Sequence, residues 1–499
     1  MTSSAFAKTW NGEALALIDV PRRPIDQFRV ALIDAVKARC RVSSLFVRRP
    51  TESGKPELVA VLTDDSDGSV LIGIGALEGE RYASLTPSCP QVHLFEREIA
   101  EQTGVAPEGH PWLKPVRFPD KADQRNARIG EMDFFKVDGD EVHEVAVGPV
   151  HAGVIEPGHF RFQCHGEEVF HLEISLGYQH RGVEDALVDG PHNRTIHVME
   201  TLAGDTTVGH AWAYSQNVEA LSRVHVSAHA QVVRAIALEL ERLANHTGDL
   251  GALAGDVGFL PTQSFCGRIR GDLLNMTALL CGNRFGRSLV VPGGVRFMLE
   301  PERATELKKR LETAERDLQI AVNLLWESAT VQGRFEQTGM VSRTACVDLG
   351  LVGPAARACG VEVDIRSTHP TGVYQFTNIP LATAHHGDVN SRAYVRWLEI
   401  QRSIVFIRER LNSLPASDSL SSRRELAADS IAASLIEGWR GEICHVAITG
   451  SNGKFSSYKV TDPSFHNWTG LSMALRNQPI SDFPLCNKSF NLSYCGFDL

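Results

Sequence analysis

The chain runs to 499 residues with 43 % apolar and 22 % charged side chains, which is too long for one ordinary domain and has the profile of a soluble globular protein. A formal net charge of -10 excludes nucleic acid as the main partner, because neutralising phosphates takes a basic surface. No run of about 18 apolar residues occurs, and the opening MTSSAFAKTWNGEALALIDVPRRP places no basic segment before an apolar one, so neither a membrane span nor a secretory signal is expected.

Along the chain, the apolar period of Asp26 to Val42 predicts a helix. The runs Leu58 to Leu62 and Val70 to Leu77, joined by Asp64-Asp65-Ser66-Asp67-Gly68, predict a hairpin. A second helix is expected over Val92 to Thr103, before the proline-punctuated Gly109-His110-Pro111-Trp112-Leu113-Lys114-Pro115. These pieces form a small α+β unit, residues 1–125, with a linker at 126–144 and the polar stretch Asp120 to Arg128 marking the seam. Beyond it lies a second unit, residues 145–499. Short strands at Phe160 to Cys164 and Val169 to Ile174 give way there to long helical periodicity over Val226 to Leu253, Glu302 to Trp326 and Ser391 to Leu411. The fold class expected is therefore α+β, with a helical bundle in the second unit and strands at its edges; the serine-rich Leu414 to Arg424 reads as a surface loop.

Ten cysteines, Cys40, Cys89, Cys164, Cys266, Cys281, Cys346, Cys359, Cys444, Cys486 and Cys495, are scattered singly, as reduced thiols are and a disulfide framework is not. No C-x-x-C pair is present, so a metal cluster serving this protein is expected on another chain. Pro292-Gly293-Gly294 reads as a tight turn, with nucleotide binding the alternative; without a G-x-G-x-x-G between strand and helix, NAD would bind elsewhere.

An ordered series of segments carries a family resemblance: Gly148-Pro149-Val150-His151, Glu156-Pro157-Gly158-His159-Phe160-Arg161, Gly177-Tyr178-Gln179-His180-Arg181-Gly182-Val183-Glu184, Glu241-Arg242-Leu243-Ala244-Asn245-His246, Asp256-Val257-Gly258, Pro292-Gly293-Gly294-Val295 and Gly387-Asp388-Val389. Through them the second unit resembles the large subunit of nickel-iron hydrogenases and the hydrogenase-like subunit of complex I. The first unit resembles the small α/β subunit of complex I through Tyr82 to Pro87, Phe95-Glu96-Arg97-Glu98 and His110-Pro111. The resemblance implies a small α/β sandwich fused to a mainly helical hydrogenase-like domain, as in formate hydrogenlyase. It also implies an iron-sulfur small subunit and antiporter-like membrane subunits as partners, a [4Fe-4S] cluster in that small subunit, and a place on the cytoplasmic, inner face of the cell membrane.

In active hydrogenases four thiolates grip nickel and iron, and the resemblance places those ligands on Ala203, Thr206, Ser464 and Asn467. Neutral oxygens and an amide do not replace bridging thiolates, so no nickel-iron centre and no hydrogenase activity are expected. Cys486 and Cys495 read as packing residues. In complex I the vacated cavity receives a quinone through a histidine, a tyrosine and an aspartate. Asp256 matches the aspartate, the tyrosine position falls on Gly204, the histidine position falls near Glu156-Pro157, and His151 matches a different, preceding histidine.

Glu156 is what hydrogenases use to ferry protons, which a buried carboxylate of raised pKa does at neutral pH. Glu156, His151, Asp256 and the Tyr178, His180, Arg181, Glu184 cluster are thus the candidate proton-handling residues, against the alternative that Arg181 and Glu184 form a structural ion pair and His151 is a core histidine. His246, with Arg242 and Asp249 on the same helix face, matches a histidine that approaches the partner's cluster and tunes it, against a helix-face ladder of ion pairs. The function expected is electron relay coupled to proton transfer; the alternatives are a non-catalytic scaffold and a quinone-reducing module with a rebuilt pocket.

Overall fold

A computed structural model describes residues 5–50, 54–118, 129, 132–151, 155–416, 420–422 and 424–499. The expected seam, Asp120 to Arg128, lies outside the described residues. The N-terminal part is a mixed sheet whose antiparallel path runs β1 (Ala7–Trp10), β5 (Ser69–Ala76), β4 (Glu57–Asp64), β3 (Arg41–Arg48), with Arg22–Pro24 pairing parallel to β5 and helix α1 (Ile25–Lys37) laid on β5. Glycine allows that close approach: a Cβ added at Gly75 would come 2.7 Å from the Phe28 ring. The hairpin from β4 to β5 pairs Asp64 with Ser69 around the expected turn. The first helix is shorter than its apolar period suggests. It ends at Lys37, Arg39 takes a φ of 77°, and Arg41 already opens β3, which is buried without a break from Val42 to Phe46.

Strand β2 (Ala14–Ala16) leaves this sheet and pairs with β9 (Ser430–Gly438), completing a second sheet in the order β11 (Phe455–Thr461), β10 (Gly441–Thr449), β9, β2. Every residue of β9 and β10 is buried. The α+β class stands, but these strands lie deeper than the edge position expected of strands in this part of the chain. Leu17, Val59, Val61, Ile72 and Ile74 pack in one cluster with Ile431, Leu435, Val446 and Ile448, so the two sheets share a core.

Between them come β6 (Val142–Val147), β7 (His159–His165) and β8 (Glu168–Ser175), an antiparallel trio, then the short helix α2 (Val183–Leu187). The helical part follows: α3 (Thr207–Ser222), α4 (Ala228–Asp256), α5 (Leu260–Cys281), α6 (Pro301–Glu327) and α7 (Val389–Asn412). Helix α4 is capped by the Ser227 hydroxyl, which accepts from Ala230 N at 3.3 Å, and is buried along most of its length against α5 and α7. Pro292-Gly293-Gly294 makes the expected tight turn, with Gly293 at φ 94° between paired Val291 and Gly294. Three helices close the chain: α8 (Pro463–Ala474), α9 (Phe483–Phe490) and α10 (Tyr494–Asp498). Among the described residues no helix is long and apolar enough to cross a membrane.

Candidate functional site

The four positions that the resemblance assigns to metal ligands lie just before α3 (Ala203, Thr206) and in α8 (Ser464, Asn467). Ala203 is buried and has no donor atom. Thr206 Oγ1 accepts from Trp439 Nε1 at 3.1 Å and from Arg440 Nη1 at 3.3 Å. The Ser464 hydroxyl accepts from Ser493 N at 2.9 Å, and Asn467 bonds the Val352 main chain through both ends of its amide, at 2.9 and 3.1 Å. Arg440 clasps Asp205 with bonds of 2.6 and 2.8 Å, donates to Asn491 O at 2.6 Å and stacks on Trp439. Thr206, Ser464 and Asn467 are therefore each engaged within the chain. Among the described residues no group of three or more His, Cys, Asp or Glu is disposed to hold a metal ion. This donor set does not fit a nickel-iron centre.

Glu156, half-buried, brings its carboxylate within hydrogen-bonding reach of the Cys495 thiol, which also meets the Gly204 main chain. Burial, reinforced by the Glu156 charge, pushes that thiol up to about 11. His151 stands edge-on to Phe160 and 6.4 Å from the Tyr494 ring, and burial with the nearby Glu156 raises the Tyr494 hydroxyl to about 12. The fold thus gathers Glu156 and His151 around Tyr494 and Cys495. Cys495 does more than fill space: α10 carries it to Gly204, and no local pattern in the sequence signals a meeting between residues so far apart.

The Gly177 to Glu184 segment wraps the end of α10. The Asp498 carboxylate accepts from Gly177 N at 2.7 Å and Gln179 N at 2.8 Å, and His180 Nδ1 lies 2.7 Å from Asp498 O. Burial outweighs those amides and raises Asp498 to about 6. Tyr178 is half-buried, which raises its hydroxyl. Arg181 and Glu184 do not pair with each other. Arg181 donates to Thr201 O at 2.8 Å and Leu202 O at 3.1 Å, while Glu184 accepts from Val460 N at 3.0 Å and holds Lys459 at 3.0 Å. The short α2 turn points Glu184 inward, where Lys459 also meets Glu98 at 2.6 Å. Burial opposes its ionisation, yet Lys459 and Arg117 hold the Glu184 carboxyl below its ordinary value. His180, Glu184 and Lys459 line a cavity of about 260 Å³.

On α4, Arg242 and His246 meet across a shared carboxylate rather than along the helix. His246 Nε2 lies 2.8 Å from Glu399 Oε2, and Arg242 reaches the same oxygen at 3.3 Å. Asp249 is drawn to Arg396 at 2.7 Å, leaving His246 Nδ1 at 3.9 Å. Arg357 donates to Glu399 and, at 2.8 Å, to Glu437; Arg366 bonds Glu239 at 3.1 Å and Asp364 at 2.6 Å. Burial resists ionisation of Glu399, but Arg357, His246 and Arg242 depress it well below the carboxylate range. Asp256, the last residue of α4, has Lys488 as its charged neighbour, and burial raises it. Among the described residues no hydrogen bond or ion pair joins it to the Glu156 cluster. Glu399, Arg357 and Arg440 are members of these networks that the sequence did not single out; Glu399 and Arg440 stand among other charges, and nothing local marks them as the ones that pair inside.

Comparison with known proteins follows the same lines. Residues 30–127 match the family "Respiratory-chain NADH dehydrogenase, 30 Kd subunit", and residues 256–434 match "Respiratory-chain NADH dehydrogenase, 49 Kd subunit". The chain is 29 % identical over 433 residues to formate hydrogenlyase subunit 5 of Escherichia coli, covering 83 % of this chain and 76 % of that protein. It is 29 % identical over 350 residues to the carbon monoxide-induced hydrogenase of Rhodospirillum rubrum, covering 70 % and 97 %. With NADH-quinone oxidoreductase subunit 4 of Thermus thermophilus it shares 28 % identity over 370 residues, covering 68 % and 90 %. Its fold is that of a chain of the membrane-bound sulfane sulfur reductase, an archaeal respiratory membrane complex, with a TM-score of 0.68 and 21 % identity over 73 % of this chain and 100 % of that one.

Proposed function

We propose that this chain, which joins a stretch matching the 30 Kd subunit family of respiratory-chain NADH dehydrogenase to one matching the 49 Kd subunit family, is a subunit of a membrane-associated oxidoreductase complex that couples electron flow through a neighbour to proton transfer at its own Glu156. In this reading the electrons pass through an iron-sulfur cluster held by an adjoining small subunit, and His246, fixed by Glu399, faces that neighbour's chemistry as a tuning residue. The chain rests peripherally on the inner face of the cell membrane beside antiporter-like membrane subunits. It does not produce or consume hydrogen itself.

One observation supports the reading: at the positions the resemblance gives to thiolates, Ala203 offers no donor and Thr206, Ser464 and Asn467 are bound within the chain, while Glu156 is half-buried beside Cys495, which also meets Gly204. A carboxylate in such a place takes a proton from one side and releases it on the other, and the Tyr178, His180, Arg181 and Glu184 segment is bound to α10, the helix of Cys495, through Asp498. A quinone headgroup, if this site takes one, would supply the two-electron, two-proton acceptor chemistry. The Asp205–Arg440 clasp across the vacated positions favours a second reading, a scaffold that kept the fold and docking surfaces alone.

Metal analysis of the purified complex is expected to find no stoichiometric nickel on this chain; one nickel per chain overturns the reading. Glu156→Gln is expected to abolish coupled turnover while leaving melting behaviour unchanged. Unaltered turnover in that variant removes Glu156 from the mechanism and favours the scaffold.

A further inference from the structure

The N-terminal part of the chain and the segments around β8 and α8 enclose a cavity of about 340 Å³. Leu94 and Trp112 wall it on one side, and Leu172, Leu349, Trp468 and Met473 on the other. The two sides are locked together: His93 Nε2 lies 3.2 Å from Thr469 Oγ1, and the Trp112 ring stacks on His171 at 5.5 Å. His110 spends both ring nitrogens in the wall, accepting from Trp112 N at 3.0 Å and donating to His93 O at 3.1 Å. Burial lowers His93, His110 and His171, so these histidines add no positive charge at neutral pH.

The charges that remain in the wall do not balance. Arg97, half-buried on the helix His93–Thr103, donates from Nε to Lys114 O at 2.8 Å and from Nη2 to Pro115 O at 2.9 Å. Those carbonyls fix the guanidinium; among the described residues no carboxylate pairs with it, and its Nη1 makes no hydrogen bond. The acids whose charge reaches it are committed elsewhere. Glu101 accepts from the amides of Val116 and Arg117, at 3.1 and 3.0 Å, while Glu173 holds Lys114 Nζ at 2.8 Å and accepts from Phe135 N at 2.6 Å. Burial outweighs both and lowers Arg97 to about 10. Arg476, exposed, also lines the cavity, and its side chain makes no hydrogen bond or ion pair among the described residues. A cation withdrawn from water without a counter-charge is unfavourable, and an entering anion relieves it.

The head group of a ligand follows from the donors. One free guanidinium nitrogen in an apolar wall suits a singly charged carboxylate, whereas a phosphate dianion needs a cluster of donors. The body follows from the walls, which are mostly aliphatic and indole surface. Its length follows from the volume, at the lower end of the roughly 300–1,000 Å³ of ligand pockets. We infer that this cavity binds a medium-chain monocarboxylic acid, its carboxylate on Arg97 and its chain among Leu94, Leu172 and Met473. The site stands whether or not Glu156 moves protons.

Calorimetric titration of the full chain with octanoate tests it, with 1-octanol as the neutral probe and octyl phosphate as the dianion. Octanoate is expected to bind at one site per chain and about tenfold more tightly than octanol, the effect of one charge-assisted hydrogen bond. Equal binding of octanol, tighter binding of octyl phosphate, or no saturable octanoate binding below about 1 mM overturns the inference. Arg97→Gln is expected to lower octanoate affinity about tenfold and to leave octanol unchanged. Because Arg97 also holds the Lys114 and Pro115 carbonyls, a second variant leaves it in place: Met473→Trp fills the cavity and is expected to abolish octanoate binding. Undiminished octanoate binding in Met473→Trp, or in an Arg97→Gln chain that melts like the parent, overturns the site.

Discussion

Glu399 is the residue on which most charge converges: Arg357, Arg242 and His246 all bond its two oxygens, and all four side chains are buried. Removing one partner of such a group leaves cations without compensation in a medium that solvates them poorly. Glu399→Gln is expected to destabilise the fold by about 3 kcal/mol, read from the denaturant midpoint, because Arg357 and Arg242 each lose one carboxylate partner at once and keep Glu437 and Glu239. Arg242 and His246 were legible in the sequence because they share a helix face with Asp249. Glu399 was not, since nothing in the Ser391 to Leu411 pattern says which of its charges points inward.

At the scale of elements, the long helices emerged close to their expected spans because their apolar stripes run unbroken for many turns: Val226 to Leu253 became Ala228–Asp256, and Glu302 to Trp326 became Pro301–Glu327. Strands buried on both faces carry no such alternation, so β9 and β10 left no period to read. The pairing of β2 with β9 was equally invisible. It is secured by Asn11, whose amide donates to His369 O at 2.7 Å and Leu435 O at 2.8 Å while its oxygen accepts from Leu435 N at 2.8 Å. Asn11→Ala leaves those main-chain groups unpaired. It is expected to cost about 1–3 kcal/mol and to speed limited proteolysis before Val20, whereas unchanged cleavage would show that β2 docks without it.

For the molecule as a whole, two buried carboxyls make stability depend on pH. Burial outweighs the Val208 and Gly209 amides and raises Glu241 from 4.5 to about 8, and it raises Asp498 from 3.8 to about 6. Both groups bind protons more tightly folded than unfolded. Their contribution is therefore fully present below the unfolded values, and it is lost as pH rises through about 6 for Asp498 and about 8 for Glu241. Glu241→Gln is expected to flatten the decline between pH 6 and 8 in thermal melts; an unchanged slope would show that another group sets it.

The sequence by itself determined the family resemblance and the spans of the most strongly striped helices, and it carries the expectation that the thiolates are lost, because each is written in residue identities or in a period that local geometry imposes. Only the tertiary structure decided that Arg440 clasps Asp205 across the vacated positions, that Cys495 returns to Gly204, and that Glu184 takes Lys459 rather than Arg181. The physical reason is burial. Charged and polar groups removed from water must find partners, and which partner lies within 3 Å is settled by how distant segments pack, not by their order along the chain.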